Sequence, residues 1–499
     1  MRASGILLPI FSLPGKYGIG CLSKEAYRFI DFLEKSNQKY WQILPIGPTS
    51  YGDSPYQSFS TFAGNPYFIS LEDLIEQGLL TKAECDGIDF GKNPKEVDYE
   101  KLYKYRRKLL RKAYERSEIY EKEEFHKFKA ENEYWLKDYA VFMAVKDRFG
   151  GKSFDQWATD ICNRWGYSME YYQKELYFDI EFYEFVQYEF YRQWFLLKSY
   201  ANKKGISIIG DIPIYVAYDS ADVWAHPELF QLNDDKKLQA VSGCPPDGFS
   251  AKGQLWGNPL YQWSYHKSTN YDWWIKRIEK CSQLYDVVRI DHFRGFDEYY
   301  SIPADAEDAM NGQWEKGPGM ELFEAVRYCL GDIQIIAEDL GYMTDSVRVL
   351  VEKSGFPNMK VLEFAFDSRE ESGPADYLPY NYNKNCVVYT GTHDNETLKG
   401  WLGNIQPEEK QNIQKYIGRE ITDEQELVKE IIRMAQASTA NTCIIPLQDY
   451  LCMANDARIN TPSVLGNNWK WRVLSDAFSE ELIRNISEYA RIYGRISKV

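Results

Sequence analysis

The chain has 499 residues, a formal net charge of −15, 44% hydrophobic residues and 27% charged residues, a composition typical of a globular protein with a large core. An acidic surface repels phosphate backbones and anionic lipids, so we expect neither nucleic acid nor a membrane surface as a partner. No apolar run reaches the roughly 18 residues of a membrane span, and Pro9 interrupts the short N-terminal run, which argues against a signal peptide. The nine cysteines include no C-x-x-C pair, so we expect reduced thiols and a cytoplasmic protein.

Apolar runs along the chain predict eight β-strands, most of them separated by helices. Short β-branched runs between polar or glycine-rich stretches are typical of buried parallel strands. We expect these strands at residues 5–11, 40–45, 206–216, 286–291, 334–341, 360–366, 386–395 and 442–447. The principal helices are predicted by their periodicity at residues 23–33, 182–204, 272–284, 320–330, 346–353, 424–438 and 480–493. Eight alternating β/α units predict the α/β class, with a single (β/α)8 or TIM barrel spanning residues 1–499.

Three segments lie outside this alternation. Residues 72–175 are dense in charge and keep a helical period, which predicts a mainly helical insertion between the second and third strands. Residues 215–270 are expected to form a loop subdomain after the third strand. The glycines and small residues within 244–259 suit a mobile lid, with an inert surface loop as the alternative. The loop at 48–60 is rich in Tyr, Ser and Asp and is predicted either to bind a ligand or to be a solvent-exposed turn.

Seven polar residues fall at the ends of predicted strands, and the carboxyl ends of barrel strands meet at one mouth, where active sites lie. They are Asp211, Arg289, Asp291, His292, Glu338, His393 and Asp394. Arg289 and Asp291 are two residues apart, so they share one face of their strand. An ion pair inside the barrel would explain these two without any catalysis, and a helix cap would explain Glu338. Together, however, four carboxylates at one mouth favour a catalytic site over four separate structural coincidences.

Two classes of enzyme use carboxylates in this number. Metal-dependent hydrolysis is poorly supported, because the chain has five histidines and neither an H-x-H nor an H-E-x-x-H motif. Glycosyl transfer needs one carboxylate as nucleophile and a second, protonated carboxyl as general acid. Arg289 would keep Asp291 ionised, and a third carboxylate would bind sugar hydroxyls or stabilise positive charge at the anomeric carbon. Aromatic residues make up 16% of the chain. Flat rings suit sugars, although core packing is their commonest use.

Six short motifs carry a resemblance to a known family. They are SPYQS at 54–58, GDIPIY at 210–215, PPD at 245–247 together with WGNP at 256–259, RIDHFRG at 289–295, AEDLG at 337–341 and THDN at 392–395. In identity and order they resemble the amylomaltases, or disproportionating enzymes, which are 4-α-glucanotransferases of glycoside hydrolase family 77 in the α-amylase clan. The resemblance runs from near residue 5 to near residue 472 and so covers essentially the whole chain.

The resemblance implies a role for each residue of the predicted site. It implies Asp291 as nucleophile, Glu338 as general acid/base and Asp394 as the carboxylate that stabilises the transition state. It implies that the substrate-binding residues are Tyr56, Asp211, Asp247, Gln254, Trp256, Arg289, His292, His393 and Asn460. Asn460 matches the family less closely, because Ser463 stands where the family usually has glycine.

The activity that the resemblance implies is transfer of α-1,4-glucan segments between maltooligosaccharides or starch-type glucans by retaining double displacement. It implies no cofactor and no C-terminal β-domain. Some relatives in the clan use calcium, but no ligand cluster in the sequence demands a metal. Two alternatives stay open: an α-glucan hydrolase of the amylase type and a non-catalytic glycan-binding protein. The sequence predicts no oligomeric state.

Overall fold

A closed barrel of eight parallel strands forms the centre of the molecule. The computed structural model describes residues 2–50, 52–246, 250–341, 343–367, 374–464 and 466–496. Within these residues the strands are β1 (Ala3–Leu7), β2 (Tyr40–Gln42), β3 (Ser207–Pro213), β4 (Ala240–Cys244), β5 (Gln254–Pro259), β6 (Val287–Asp291), β7 (Glu298–Pro303), β8 (Gln313–Lys316), β9 (Ile335–Ala337), β10 (Asn358–Val361), β11 (Cys386–Tyr389) and β12 (Thr442–Pro446).

The barrel strands follow one another around the barrel in chain order. They run β1-β2-β3-β6-β9-β10-β11-β12, and β12 pairs in parallel with β1 to close the ring. Each overlaps one of the eight predicted strands, so the predicted (β/α)8 barrel is confirmed. Several predicted strands extend past the observed ends. After β10, for example, Leu362–Phe366 form a 3-10 helix, because apolar side chains continue there although the backbone has left the sheet.

Buried aliphatic side chains explain why these short segments form strands. All five residues of β1 and all four of β11 are buried, as are Val288 and Ile290 in β6. Strands covered on both faces are rich in such residues because they remove apolar surface from water. Arg289 lies between Val288 and Ile290 and points to the opposite face, into the barrel, where it contacts Asp211 and Met359.

Helices account for much of the remaining chain. Among the described residues they are α1 (Lys24–Lys35), α2 (Leu71–Glu76), α3 (Lys82–Asp86), α4 (Tyr99–Glu115), α5 (Glu123–Glu131), α6 (Glu133–Arg148), α7 (Thr159–Cys162), α8 (Gly166–Glu175), α9 (Tyr177–Lys203), α10 (Ala221–Ala225), α11 (Trp263–Ser268), α12 (Asp272–Leu284), α13 (Met320–Leu330), α14 (Asp345–Ser354), α15 (Leu398–Asn404), α16 (Pro407–Ile417), α17 (Glu424–Ala437), α18 (Leu447–Tyr450) and α19 (Glu480–Ile492). Helices α2 to α9 lie between β2 and β3. None of the described helices is long and apolar enough to cross a lipid bilayer.

A second sheet, antiparallel, is built from the segments that follow β3 and β6. Its strand order is β5-β4-β7-β8. The sequence predicts only loops at residues 244–259, whereas the structure has the end of β4 and all of β5 in that range. Strand β5 contains glycine and proline and no regular apolar alternation, so its local sequence gives no strand signal. Pairing with β4, rather than local propensity, makes it a strand.

Candidate active site

The carboxyl ends of four barrel strands bring the predicted site residues together. Asp211 of β3 lies opposite Arg289 of β6 in the register of the sheet. Asp291 ends β6, and Glu338 directly follows β9, the next strand around the barrel. Asp394 follows β11 on the other side of the mouth. Because parallel barrel strands all end at one face, these side chains form one cluster.

Arg289 is the cation at the centre of this cluster. Its side chain is 4% exposed; Nη1 donates to Asp211 Oδ2 at 2.5 Å, and Nη2 lies 3.0 Å from Asp291 Oδ1. Burial alone would lower the pKa of Arg289, but the two carboxylates raise it above its ordinary value, so the residue stays charged. The planar guanidinium reaches both carboxylates at once, a geometry that the single ammonium of lysine does not reproduce.

Two backbone N–H groups hold Glu338. Its Oε2 accepts from the His292 N–H at 2.6 Å, and its Oε1 accepts from the Leu340 N–H at 2.7 Å. His292 has a left-handed backbone conformation, with φ 54°, which turns the chain after β6 and directs this N–H at Glu338. Both oxygens of the Glu338 carboxyl are therefore fixed in orientation at the strand end.

Burial and mutual repulsion link the protonation of Asp291 and Glu338. Burial raises the pKa of Asp291 well above its usual range; Arg289 opposes the rise, while Asp211, Glu338 and Asp394 add to it. Burial likewise raises the pKa of Glu338, against the effect of Arg289 and of the two N–H donors. Carboxyl groups placed this close do not ionise independently, so the pair keeps one proton to a higher pH than an isolated carboxylic acid would.

Asp394 lies across the mouth with one carboxylate oxygen held. Asn460 Nδ2 donates to Asp394 Oδ1 at 2.6 Å, and His393 Nε2 lies 3.3 Å from the same oxygen. Arg458 Nη2 donates to the Asp394 carbonyl at 2.7 Å and fixes the backbone at this point. The Asp394 side chain is 44% exposed, so the carboxylate remains accessible from the open mouth.

Tyr56 joins the two sides of the site. Its hydroxyl donates to Asp211 Oδ2 at 2.8 Å, and its ring stacks on His393 with centroids 5.2 Å apart and planes at 16°. Trp469 lies near both of these rings, at 5.9 Å and 6.0 Å.

Burial lowers the pKa of His393 and lowers that of His292 to about 3. Both imidazoles are therefore neutral near pH 7, and each has one donor and one acceptor nitrogen.

Strand β5 places Gln254 and Trp256 beside His292. Trp256 Nε1 donates to Gln254 Oε1 at 3.1 Å, and the indole meets the His292 ring edge-to-face at 4.7 Å. His292 Nε2 is buried and has no hydrogen-bond partner within the described residues. Asp247, the remaining site residue predicted for this segment, lies outside the described residues.

Two contacts of the site were not predicted from the sequence. Trp469 stands in no recognisable motif, and nothing in its local pattern distinguishes it from a core tryptophan. Arg458 lies two residues before Asn460, and that proximity was the available signal. Its hydrogen bond to the Asp394 carbonyl depends on how the loop after β12 folds back on the loop after β11, which local sequence does not specify.

The arrangement provides a buried acid with fixed orientation, a carboxylate paired with a cation, and a third carboxylate open to the mouth. These are the groups that two-carboxylate glycosyl chemistry requires. The neutral imidazoles and aromatic rings suit an uncharged substrate with many hydroxyl groups. Across the described ranges, no group of three or more His, Cys, Asp or Glu side chains is arranged to hold a metal ion.

Comparisons with known proteins agree with this chemistry. A family model described as 4-alpha-glucanotransferase matches residues 8–476. The chain is 50% identical over 488 residues to a 4-alpha-glucanotransferase of Clostridium butyricum, covering 97% of this chain and 99% of the relative. It is 46% identical over 500 residues to one of Streptococcus pneumoniae, covering 100% and 98%.

Solved structures give the same result. An amylomaltase of Streptococcus agalactiae, in complex with acarbose, matches with a TM-score of 0.96 and 43% identity over 100% of both chains. An amylomaltase of Corynebacterium glutamicum shares the fold, with a TM-score of 0.77 and 18% identity over 98% of this chain and 75% of that one. As its motifs predict, the chain belongs to the 4-alpha-glucanotransferase family.

Proposed function

We propose that the chain is a 4-α-glucanotransferase that transfers α-1,4-glucan segments between maltooligosaccharides or starch-type glucans by retaining double displacement. Membership of the family supports the activity. The observation that carries the mechanism is Arg289 between Asp211 and Asp291, with Glu338 at the end of the neighbouring strand. A retaining reaction needs one ionised carboxylate and one protonated carboxyl at the same bond, and of these two acids only Asp291 forms an ion pair with a described residue, Arg289.

In the first step, Asp291 attacks the anomeric carbon while Glu338 protonates the α-1,4 glycosidic oxygen. A bond forms between an Asp291 oxygen and the anomeric carbon, and the bond to the leaving sugar breaks as that sugar takes the Glu338 proton. Arg289, 3.0 Å from Asp291, favours the ionised form of the nucleophile. Glu338 is buried and forms no ion pair with a described residue, so we assign the shared proton to it.

In the second step, Glu338 is ionised and acts as the base. It takes the proton of the 4-hydroxyl of an acceptor glucan, whose oxygen attacks the anomeric carbon and releases Asp291. Two inversions at one carbon return the α configuration. Water is the competing acceptor. The loop that carries Tyr56 and the strand that carries Trp256 narrow the mouth and support preference for a sugar.

The donor sugar lies, in this proposal, between Asp394 and the two imidazoles. The accessible Asp394 carboxylate binds sugar hydroxyls and stabilises the positive charge that develops at the anomeric carbon. The Nε2 of His292 has no hydrogen-bond partner among the described residues, so its hydrogen-bonding capacity is left to a sugar hydroxyl that reaches it. We assign substrate binding to Tyr56, Asp211, Asp247, Gln254, Trp256, Arg289, His292, His393 and Asn460.

We also propose a domain organisation, a cellular environment and a class of partner for the chain. We treat residues 1–499 as one catalytic domain, with an insertion at 72–175 and a subdomain at 215–270 that includes β4 and β5. All nine cysteines are free thiols, which supports a reducing, cytoplasmic environment. The net charge of −15 supports neutral glucans, rather than nucleic acid or a membrane surface, as partners.

Incubation with pure maltotriose tests the activity. A transferase produces glucose and longer chains while the number of reducing ends stays constant, because the anomeric carbon released from one glycosidic bond is bonded again to the 4-hydroxyl of the acceptor. Steadily rising reducing ends would instead show an amylase-type hydrolase. Absence of any product would favour a glycan-binding protein. The Asp291→Asn variant should be inactive, and intact turnover in that variant would rule out the assigned nucleophile.

A further inference from the structure

Glu363 is a buried acid behind the mouth of the barrel, and the proposed mechanism does not use it. It lies in the 3-10 helix Leu362–Phe366 after β10 and is 5% exposed. Its backbone N–H donates to the carbonyl of Thr390, the residue that follows β11, at 3.2 Å. Its Oε1 has no hydrogen-bond partner among the residues that the structure describes. A buried carboxyl with an unsatisfied oxygen costs free energy and therefore needs an explanation.

Gly391 shows how closely the Glu363 carboxyl approaches the loop after β11. A Cβ atom at Gly391 would lie 2.8 Å from Glu363 Oε1 and 3.0 Å from the Cβ of Asn395. Real Cβ atoms almost never make contacts under 3.0 Å. Glycine at this position therefore lets the carboxyl lie directly against the backbone of the loop, next to the Asn395 side chain.

Asn395 closes the turn that carries Asp394. Its Oδ1 accepts hydrogen bonds from the N–H and the hydroxyl of Thr392, both at 2.9 Å. Thr392 Oγ1 in turn accepts from the Asp394 N–H at 3.3 Å. The Glu363 carboxyl lies beside the Asn395 side chain, whose remaining polar group, with Oδ1 occupied, is the amide nitrogen, a donor. Asn395 therefore stands between Glu363 and the hydrogen bonds that hold the backbone of Asp394.

We propose that Glu363 is a positioning residue for Asp394: it fixes the Asn395 amide, and thereby the turn from Thr392 to Asn395 that aims the Asp394 carboxylate. The inference rests on the donor-site role proposed above for Asp394. The described contacts of Glu363 are with Thr390 and the loop after β11, so Glu363 is assigned an effect through that loop rather than a contact with substrate. Hydrogen bonds behind a functional side chain hold it within the narrow range of productive geometry.

The charged groups around Glu363 favour its neutral form. Burial raises the pKa of Glu363 well above its usual range; Asp449 and Glu396 add to the rise, and Asn395 and Arg458 oppose it. Burial also raises the pKa of Asp449, to about 6. A neutral carboxyl holds the Asn395 amide without placing another negative charge behind the donor-site carboxylate. The neutral form is present below the raised pKa of Glu363 and is lost as the pH rises through it.

The test compares Glu363→Leu and Glu363→Gln, each in the wild-type chain and together with Asp394→Asn. Maltosyl transfer from α-maltosyl fluoride to maltose is measured, since this reactive donor keeps weak variants measurable. We expect Glu363→Leu to lower kcat on the order of 10- to 100-fold through misplacement of Asp394. Glu363→Gln stays close to wild type, because the amide keeps a neutral acceptor for Asn395. With Asp394→Asn, the leucine change has no further effect, because the group that it misplaces is already lost.

Glu184→Leu is the matched control. Glu184 is also a buried glutamate, 6% exposed, but it pairs with Lys129 in the helical insertion, so its loss should lower the thermal midpoint and leave kcat unchanged. If Glu363→Leu does not fold, Asn395→Ala removes the contact with Glu363 together with the two hydrogen bonds from Thr392, and it should lower kcat at least as much.

Three results would overturn the proposal: wild-type kcat in the Glu363→Leu or Asn395→Ala variants, equal losses with and without Asp394→Asn, or a glutamine variant as impaired as the leucine variant. An Asp394→Asn enzyme as active as wild type would instead overturn the role proposed for Asp394 itself. Failure of the inference and failure of the underlying mechanism are thus distinguishable.

Discussion

Replacement of Arg289 by methionine perturbs the interaction on which the proposed mechanism depends most. The change removes the cation that lies 3.0 Å from Asp291 and 2.5 Å from Asp211. At an effective dielectric constant of about 20, two unit charges at the 3.0 Å separation of the first pair attract by about 5.5 kcal/mol. The 29% exposure of Asp291 reduces that figure through solvent screening. We therefore expect the loss of Arg289 to favour the protonated form of Asp291 by a factor of about 10 to 1,000.

The sign of the effect follows from the charge that is removed. Without Arg289 the pKa of Asp291 rises, so the nucleophile stays protonated and inactive up to a higher pH. Turnover near neutral pH falls by about 10- to 1,000-fold and recovers as the pH is raised. The assay is fluoride release from α-maltosyl fluoride in the first turnover as a function of pH. Because fluoride leaves without a general acid and the second step is not measured, ionisation of Glu338 does not obscure the recovery at high pH.

Arg495→Met provides the matched control. Arg495 is a fully buried arginine that donates to the backbone carbonyls of Ala3 and Ala440 rather than to an acid. Its loss should lower stability and leave the acid limb in place. Arg289→Lys keeps the positive charge but not the planar guanidinium that reaches both carboxylates. Its pH profile should lie between those of the wild-type enzyme and Arg289→Met. Two results would contradict this prediction. One is an acid limb in Arg289→Met at the same pH as in the wild-type enzyme. The other is an acid limb in Arg495→Met that moves as far as the limb in Arg289→Met.

Three further changes test other parts of the structure. Tyr56→Phe removes the 2.8 Å hydrogen bond to Asp211 but keeps the ring against His393. Steady-state kinetics on maltotriose should show kcat reduced by about 3- to 10-fold. A rise in KM with unchanged kcat would contradict this prediction. Glu338→Gln should lower maltotriose turnover by about 100- to 10,000-fold. The same variant should still release fluoride from α-maltosyl fluoride in a first turnover. An equal loss of rate with both donors would argue against Glu338 as the acid. Ser479→Ala removes the cap of α19, where the serine oxygen accepts a hydrogen bond from a backbone N–H at 3.2 Å. The change should lower the free energy of unfolding in urea by about 1 kcal/mol. An unchanged midpoint of urea unfolding would show that the cap contributes nothing.

The barrel was predictable because its strands are continuous apolar runs in a regular order with helices. Burial on both faces selects such runs, so the sequence carries the signal directly. The second sheet was not predictable in this way. Strand β5 consists of Gln-Leu-Trp-Gly-Asn-Pro and becomes a strand by pairing with β4, which in turn pairs with β7 from a later part of the chain. Such pairing is set by tertiary structure and leaves little trace in local sequence.

That Asp291, Glu338 and Asp394 meet at one mouth could be predicted, but the contacts made by Trp469 and Arg458 and the connections between the site residues could not. Asp291 and Glu338 are recognisable as polar ends of apolar strands. That Arg289 also pairs with Asp211 depends on the register of β3 against β6. The left-handed conformation of His292, which directs its N–H at Glu338, is likewise imposed by the site, because that conformation is unfavourable for histidine in isolation.

Trapping of the covalent intermediate examines the assignment of Asp291 as the nucleophile. In the Glu338→Gln variant, α-maltosyl fluoride still reacts, but the second step is slow because the base is missing. Peptide mass spectrometry after a short reaction should find one maltosyl group esterified to Asp291. A maltosyl group on any other carboxylate, or a product of β configuration from the wild-type enzyme, would contradict the proposed mechanism.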